Sequence, residues 1–294
     1  MKTDSNSLLK PRRALLFVPG NKLEMFPKAL ASNADIVCID LEDAISLDNK
    51  VVARREAISL ISDHLSSVHN NKVEIWLRIN SIRNPLGMAD TIALAEVKHA
   101  PDGIMIPKIK APEEIKILRD VLSNKHPNLN FHPLIETTAG LNFCVEIAKS
   151  SHKIGSLVLG GFDMSANLRV DPHWDTLLYA RQKLVLAAAN AGVDLIDMPY
   201  FELDNFDGLK RETEACSKIG FTGKCAIHPK QIEAINETFT PTIEEIERAK
   251  TLIDKYQSQD AAFVEIDGIL LEKPVVDRLY RTLAIDFNES CVLG

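Results

Sequence analysis

The sequence predicts a (β/α)8 TIM barrel followed by a C-terminal helical extension. Its 294 residues are enough for such a barrel, a fold that forms one unit of about 250 residues. Short apolar runs alternate along the chain with longer amphipathic stretches, which is the order expected of strand and helix units in series. Most runs are continuously apolar, as is typical of parallel strands covered on both faces. The eight runs are Ala14–Val18, Asp35–Ile39, Val73–Ile79, Gly103–Ile106, Phe131–Ile135, Ser156–Leu159, Val193–Met198 and Cys225–Ile227.

The stretches between these runs carry the signals of helices. From Trp174 onward apolar residues recur at helical spacing, and Gly192 follows as a stop signal. Pro112 stands at a first helical position, with acidic residues in the turn that follows it. Thr242 and Glu245 fit a capping box. A doubly wound open sheet is the alternative, but it would need a nucleotide-binding fingerprint, and two adjacent glycines at 160–161 are not one.

The barrel is predicted to span residues 1–240 as the catalytic domain, and the extension residues 241–294. In the extension we expect a helix near Thr242–Gln257, an extended piece around Phe263–Leu271 and a helix from Pro274. We interpret this tail as an appendage that contacts a neighbouring subunit rather than as a second domain.

Composition excludes several classes of function. Lys and Arg number 34 against 41 Asp and Glu, which gives a net charge of −7, and 6% of residues are aromatic. A nucleic-acid surface or a patch for anionic membranes is not expected from this balance. No apolar run approaches the ~18 residues of a spanning helix. Five cysteines without a CxxC pair support neither a disulfide framework nor a zinc site. We therefore expect a cytoplasmic enzyme.

Polar and charged residues directly follow most of the predicted strands. In a barrel of parallel strands these positions converge at one face, where the chemistry of this fold is found. The convergence of several strand ends, rather than any single residue, indicates an active site. The residues concerned include Lys22, Asp40, Glu42, Asp43, Arg78, Asn80, Lys108, Glu136, Asp163 and His228.

Glu136 and Asp163 end two neighbouring strands, with Asp40 as a further acid in the same region. Clustered carboxylates repel one another unless a cation neutralises them. A hard divalent ion that keeps several waters suits two carboxylates better than zinc does, so we expect Mg2+. The alternative is that Glu136 or Asp163 caps the helix that follows it.

Arg78 lies inside an apolar stretch, where a cation is costly to bury unless it is paired or faces a polar site. Its planar fork suits a substrate carboxylate or a developing oxyanion. The alternative is a structural ion pair with Asp40 or Glu42, which would not prevent a functional role.

An ordered set of short motifs identifies a family. The chain is similar to the citrate lyase beta subunit family, which includes malyl-CoA and citramalyl-CoA lyases within the HpcH/HpaI aldolase superfamily. The resemblance runs through nearly the whole chain. Its motifs are Phe17-Val-Pro-Gly20, Asp40-Leu-Glu-Asp43, Leu77-Arg-Ile-Asn80, Ile106-Pro-Lys108, Leu134-Ile-Glu-Thr137, Leu159-Gly-Gly-Phe-Asp163 and Gly223-Lys-Cys-Ala-Ile-His-Pro229.

The resemblance implies a Mg2+-dependent carbon–carbon lyase that cleaves a 3-hydroxy-3-carboxyacyl-CoA to acetyl-CoA and a 2-oxo acid. Glu136 and Asp163 would hold the metal, and Arg78 would bind the oxygen on which negative charge develops. By the same resemblance, an acidic trio would shape the site, and a second group would bind CoA. The trio is Asp40, Glu42 and Asp43, and the CoA group is Phe17, Lys22, Lys28, His228 and Pro229.

One position departs from the family pattern. Active lyases of this family carry an Asp-x-Pro motif in the tail, whose Asp enters the neighbouring subunit's site as acid and base. Here Glu272 stands at that Asp, before Lys273 and Pro274. The extra methylene moves the carboxylate by about an ångström, enough to cost ~10²-fold in rate. A thioesterase, a malate-synthase-like enzyme and a non-catalytic CoA-binding subunit are therefore alternatives, and the family implies a homotrimer or hexamer.

Overall fold

The structure is a computed structural model that describes residues 11–67, 72–258, 263–266, 268–273, 275–276, 279–280 and 282–283. It divides the chain into two compact units, one formed by Arg12–Asn236 and the other containing the chain from Glu237 onward. The larger unit holds the eight strands that the sequence predicts. Its fold is the (β/α)8 barrel expected from the alternation of strand and helix.

Eight parallel strands close into a barrel in their order along the chain, and the last strand pairs with the first. Each strand overlaps one predicted apolar run. The last strand begins two residues earlier than predicted because it includes Lys224, whose charge is buried against Asp197 and Glu212 at 2.6 and 2.7 Å. The strands are β1 (Ala14–Pro19), β2 (Ile36–Asp40), β3 (Glu74–Arg78), β4 (Gly103–Ile106), β5 (Asn130–Ile135), β6 (Ser156–Leu159), β7 (Asp194–Asp197) and β8 (Gly223–Ala226).

Helices connect the strands, and their ends follow the predicted signals. Pro112 opens its helix, and Gly192 ends another in the left-handed conformation at φ +68°. The helices are α1 (Phe26–Leu30), α2 (Lys50–Ser67), α3 (Pro85–Glu96), α4 (Pro112–Leu122), α5 (Thr138–Asn142), α6 (Cys144–Ala148), α7 (Gly161–Leu168), α8 (Trp174–Ala191), α9 (Phe206–Ile219) and α10 (Ile232–Phe239).

The middle of the barrel is a packed apolar layer to which every strand contributes. Its side chains are inward-facing, so successive inward residues of one strand lie two positions apart. This layer separates the two mouths of the barrel. Its members are Leu15, Ile36, Cys38, Trp76, Met105, Leu134, Val158, Ile196 and Cys225.

A polar layer fills the N-terminal mouth, below the apolar one. Arg12 forms ion pairs with Glu74 at 3.1 Å and Asp194 at 3.2 Å. The ring of His132 stacks on Trp76 with centroids 3.4 Å apart, and the Trp76 Nε1–H donates to Glu74 at 2.8 Å. Burial and the charge of Arg12 lower the pKa of His132 well below its usual value. The mouth is thus closed by paired charges and a neutral ring.

The second unit consists of helix α11 (Ile243–Gln257) and a two-stranded antiparallel sheet. Thr242 accepts a hydrogen bond from the Glu245 amide at 3.2 Å, and the Glu245 carboxylate accepts one from the Thr242 amide at 2.8 Å, as the predicted capping box requires. The expected extended piece is a hairpin of β9 (Phe263–Ile266) and β10 (Ile269–Glu272), which ends at the exposed Glu272. Pro274 lies outside the described residues.

The role of the extension in contacting a neighbouring subunit stays a prediction. Among the described residues, no helix is both long and apolar enough to cross a membrane.

Candidate active site

A cavity of about 460 Å³ opens at the C-terminal ends of the barrel strands, where the sequence places the polar residues. One part of its wall is charged and the other is apolar. The charged part consists of Asp40, Asp43, Arg78, Glu136 and Asp163, and the apolar part includes Phe17, Phe162, Met198, Phe201 and Ile227. The structure therefore brings five of the predicted polar site residues, together with Phe17, into one cavity.

Glu136 follows β5 and is almost completely buried, with 2% of its surface exposed. Its Oε1 accepts a hydrogen bond from the Lys108 amide at 2.7 Å. Burial, and then the charge of Asp163, raises the pKa of Glu136 to about 8. Gly160 makes room for it, because a Cβ there would lie 2.5 Å from the Cβ of Glu136. The carboxylate is held in place without a cationic side chain within ion-pair distance among the described residues.

Neither acid caps the helix that follows it. Thr137 caps α5 by accepting a hydrogen bond from the Gly140 amide at 2.9 Å. Gly160 is the residue before α7, and Asp163 lies in the first turn of that helix with its side chain 42% exposed. The capping alternative is therefore wrong for Glu136, and the two carboxylates remain available to a ligand.

The donor set fits a magnesium ion. Within the described part of the chain, no group of three or more His, Cys, Asp and Glu side chains is arranged to hold a metal. Mg2+ is commonly held by one or two carboxylates, with water or substrate oxygens completing its octahedron. Glu136 and Asp163 provide those two carboxylates. Since Asp163 raises the pKa of Glu136, a cation between them would relieve the repulsion.

Arg78, at the end of β3, is both paired and exposed to the cavity. Its Nε and Nη2 each donate to a carboxylate oxygen of Asp40 at 2.6 Å, and its Nη1 donates to Asp43 at 3.2 Å. The guanidinium also lies 5.3 Å from the ring centroid of Phe17. Burial alone would lower the pKa of Arg78, but the surrounding carboxylates raise it. Both predictions for this arginine, the ion pair and the place in a polar site, are thus seen together.

Asp40 is the fixed partner in this pair. Besides Arg78, it accepts hydrogen bonds from the backbone amides of Glu42 at 2.8 Å and Ala44 at 3.1 Å. The loop after β2 is wrapped around its carboxylate. Asp40 therefore orients Arg78, in agreement with the expectation that the acidic trio shapes the site.

Lys108 is a site residue that the sequence reasoning named at a strand end but gave no role. Its Nζ forms an ion pair with Glu42 and lies 3.4 Å from Asp43 and 3.8 Å from Asp163. Burial, opposed by the Lys108 charge, raises the pKa of Glu42 to about 7. The Ile106-Pro-Lys108 motif was visible in the sequence, but the contacts of its lysine depend on a left-handed backbone conformation at φ +53°. That conformation has no sequence signal when the residue is lysine.

The apolar wall was also missed. Phe162 and Phe201 meet edge to face with centroids 4.3 Å apart, and both rings are about half exposed. Met198 packs against Gly161, where no Cβ could be accommodated. These residues come from the ends of β6 and β7. Isolated aromatic and methionine residues carry no signal in the sequence until a fold places them beside a charged site.

The predicted CoA group is only partly assembled in the cavity. Phe17 lines it, whereas Lys22 and Lys28 are exposed and His228 and Pro229 are half-buried outside its lining. Lys22 and His228 follow β1 and β8, which pair with each other, so their loops share one edge of the barrel. Glu272 belongs to the second unit. The roles predicted for these residues stay predictions.

The profile of the HpcH/HpaI aldolase/citrate lyase family matches residues 13–229. The chain is 33% identical to the mitochondrial citramalyl-CoA lyase of Rattus norvegicus, over 97% of this chain and 90% of that protein. Among solved structures, it is similar to RipC from Yersinia pestis, with 34% identity and a TM-score of 0.70, over 82% of this chain and 100% of that one. It is also similar to the citrate lyase beta subunit of M. tuberculosis in complex with oxaloacetate and magnesium, with 25% identity and a TM-score of 0.67, over 80% of this chain and 99% of that one.

Proposed function

Because the chain belongs to the HpcH/HpaI aldolase/citrate lyase family, we propose that it is a Mg2+-dependent carbon–carbon lyase that acts on an acyl-CoA thioester. The substrate is a 3-hydroxy-3-carboxyacyl-CoA of the citramalyl-, malyl- or citryl-CoA type. The products are acetyl-CoA and a 2-oxo acid. One observation carries the proposal: the carboxylate pair Glu136 and Asp163 lines the same cavity as the buried, carboxylate-oriented Arg78.

The ends of the cavity suit the two ends of such a substrate. Glu136 and Asp163 would hold the metal, which when bound supplies a Lewis acid for the 2-oxo acid end. Arg78 has five N–H donors, three of which go to Asp40 and Asp43, so the guanidinium is oriented before a substrate oxygen arrives. A positive group held in place in this way stabilises negative charge that develops on that oxygen. Phe17 would contact the thioester end.

The reaction is a retro-Claisen cleavage. A carboxylate base takes the proton of the 3-hydroxyl, and the bond between C2 and C3 breaks. C3 becomes the carbonyl carbon of the 2-oxo acid, while the bonding electron pair stays with C2 as the thioester enolate. The protonated base then returns a proton to C2, which gives acetyl-CoA. We assign the base to Glu272 of a neighbouring subunit, at the position where the family has aspartate.

A hydrolytic reaction is the second candidate, because Glu272 is longer by one methylene than the residue it replaces. A shift of about an ångström in an acid–base group is enough to change which step is efficient. In a thioesterase or malate-synthase-like enzyme, the thioester itself would be hydrolysed and free CoA released. A non-catalytic CoA-binding subunit is disfavoured, since a binder has no need of the Glu136 and Asp163 pair.

The test is incubation with (S)-citramalyl-CoA, malyl-CoA and citryl-CoA in the presence of Mg2+, with acetyl-CoA, free CoA and 2-oxo acid measured separately. We expect acetyl-CoA and 2-oxo acid in equal amounts, and no turnover once the metal is chelated. Release of free CoA alone would identify a thioesterase. Binding of CoA without turnover of any of the three thioesters would identify the non-catalytic subunit.

Assembly and location belong to the same proposal. A homotrimer or hexamer would bring the tail of one chain, with Glu272, to the barrel of another. Size-exclusion chromatography with light scattering tests this, and a monomer with full activity would contradict it. Fractionation of cells tests the cytoplasmic location that we propose.

A further inference from the structure

Lys108 has a backbone conformation that lysine rarely adopts. Its φ of +53° is shared, among the described non-glycine residues, with Asn33 and Arg169. Asn tolerates this conformation, and Arg169 sits at the end of α7, where left-handed residues commonly end helices. Lys108 instead lies in the loop after β4, at the edge of the cavity. Uncommon conformations of this kind persist where the surroundings enforce them, often at functional sites.

The left-handed turn lets one residue contact both sides of the carboxylate cluster. The Lys108 amide donates to Oε1 of Glu136 at 2.7 Å, while its side chain runs toward the loop after β2. There Nζ pairs with Glu42, and it lies 3.8 Å from Oδ2 of Asp163. The backbone of Lys108 therefore orients one of the two proposed metal ligands, and its ammonium lies beside the other.

The charges around the cavity do not balance. Five carboxylates are grouped near two cationic side chains, Arg78 and Lys108. Arg78 is committed to Asp40 through two hydrogen bonds of 2.6 Å. Lys108 is the cation within ion-pair distance of Asp163 among the described residues, and its side chain is 38% exposed. A divalent ion and this ammonium would repel each other while drawing on the same acids.

We propose that Lys108 is a positioning residue that sets the metal affinity of the site in two opposite ways. Its amide fixes Glu136 for the metal, and its ammonium weakens binding by partly neutralising the acids that attract it. This proposal rests on the proposed function, because it assumes that Glu136 and Asp163 hold Mg2+. It explains why a strained lysine, rather than glycine, occupies the turn.

Three variants separate the two effects. Lys108→Met removes the ammonium and keeps a long side chain, and Lys108→Gly removes it while favouring the left-handed backbone. Lys108→Val removes the charge but disfavours that backbone, because a β-branched residue is a strong outlier at positive φ. Lys116→Met is the matched control for charge, since Lys116 is exposed and pairs with Glu113 on α4. Asn33→Gly is the control for the backbone.

Binding of Mg2+ to each protein is measured directly by calorimetry without substrate, and folding is checked by circular dichroism. We expect Lys108→Met and Lys108→Gly to bind Mg2+ more tightly by roughly five- to tenfold, the range that a partly exposed charge pair produces. Lys108→Val should bind more weakly than Lys108→Gly, and both controls should match the wild type.

Unchanged or weaker binding in both Lys108→Met and Lys108→Gly would overturn the role of the ammonium. Equal affinity of Lys108→Val and Lys108→Gly would overturn the role of the amide. Failure of the wild type to bind Mg2+ at all would instead refute the metal site of the proposed function, and the role of Lys108 with it. A loss of thermal stability without a change in affinity would mark Lys108 as structural only.

Discussion

Two buried carboxylates at the C-terminal ends of barrel strands have opposite electrostatic environments. Glu136 follows β5 and faces the cavity, and its pKa is raised to about 8 by burial and the nearby Asp163. Asp197 ends β7 and packs among the outer helices. There burial also opposes ionisation, but Lys224 and Arg181 outweigh it and lower the pKa of Asp197 to about 2. Lys224 lies 2.6 Å and Arg181 3.0 Å from its oxygens.

The difference lies in the source of the counter-charge. The chain itself supplies two buried cations to Asp197, whose role is then structural. For Glu136 the chain supplies an amide and a second carboxylate, and leaves the cation to come from outside. A buried acid without its own cation is costly to the fold, and sites of this kind are typical of binding and catalysis.

The largest effect expected is that of Glu136→Gln. Without this ligand the metal should not bind, and its Lewis-acid contribution of several kcal/mol corresponds to a loss of roughly a thousandfold or more in turnover. The stabilisation of the protein by Mg2+ in a thermal-shift assay should disappear as well. Glu113→Gln, in the exposed first turn of α4, is the matched control. A Mg2+-dependent shift that survives in Glu136→Gln would remove the contrast with Asp197.

Asp197→Asn should instead affect stability. It leaves Lys224 and Arg181 buried without their shared carboxylate, and breaking a buried pair in this way costs about 3–5 kcal/mol. Urea unfolding measures the loss. The double variant Asp197→Asn/Lys224→Met should recover part of it, because one uncompensated charge is removed. A double variant less stable than the single one would contradict the electrostatic explanation.

Arg78→Ala tests the cationic side of the cavity. If Arg78 stabilises charge that develops in the transition state, its removal should raise the barrier by about 2.7–4 kcal/mol. Turnover should fall, with a smaller change in KM, because the interaction strengthens in the transition state. Unchanged turnover in Arg78→Ala would remove the assigned role.

The smallest effect expected is a pH dependence of stability that arises from Asp197. Its folded pKa, about 2, lies below the ordinary 3.8, so its stabilising contribution is present above the ordinary value and is lost as the pH falls through the folded one. The loss is on the order of 2 kcal/mol over the acid range. Unfolding free energies of the wild type and Asp197→Asn, measured toward acid pH, should converge. Parallel curves would show that Asp197 does not titrate as the structure indicates.

Much of the fold could be predicted from the sequence because apolar runs between Ala14 and Ala226 report burial directly. The barrel end that carries the chemistry followed from where the polar residues stand after each run. The strand β8 was placed too late because Lys224 looks like a break, and only the contact with Asp197 explains its burial. Charged residues inside the fold are invisible to a reading of hydrophobic pattern.

The candidate site was predicted to a similar depth. Strand ends bring together Asp40, Arg78, Glu136 and Asp163, and the structure places all four on the wall of one cavity. The role of Lys108 could not be predicted, since it depends on a backbone torsion and on the distance between two loops. Phe162 and Phe201 were missed for a related reason: their contact joins the ends of β6 and β7, which are distant in the sequence.

The closed N-terminal mouth of the barrel has a consequence for the order of events at the other end. With Arg12, Trp76 and His132 filling that mouth, the cavity is a dead end for small molecules. A ligand seated at its floor, beside Glu136, leaves by the path along which it arrived. A bulky thioester bound nearer the rim would cork that path. We therefore expect a queue at the exit, in which the 2-oxo acid departs only after acetyl-CoA has gone.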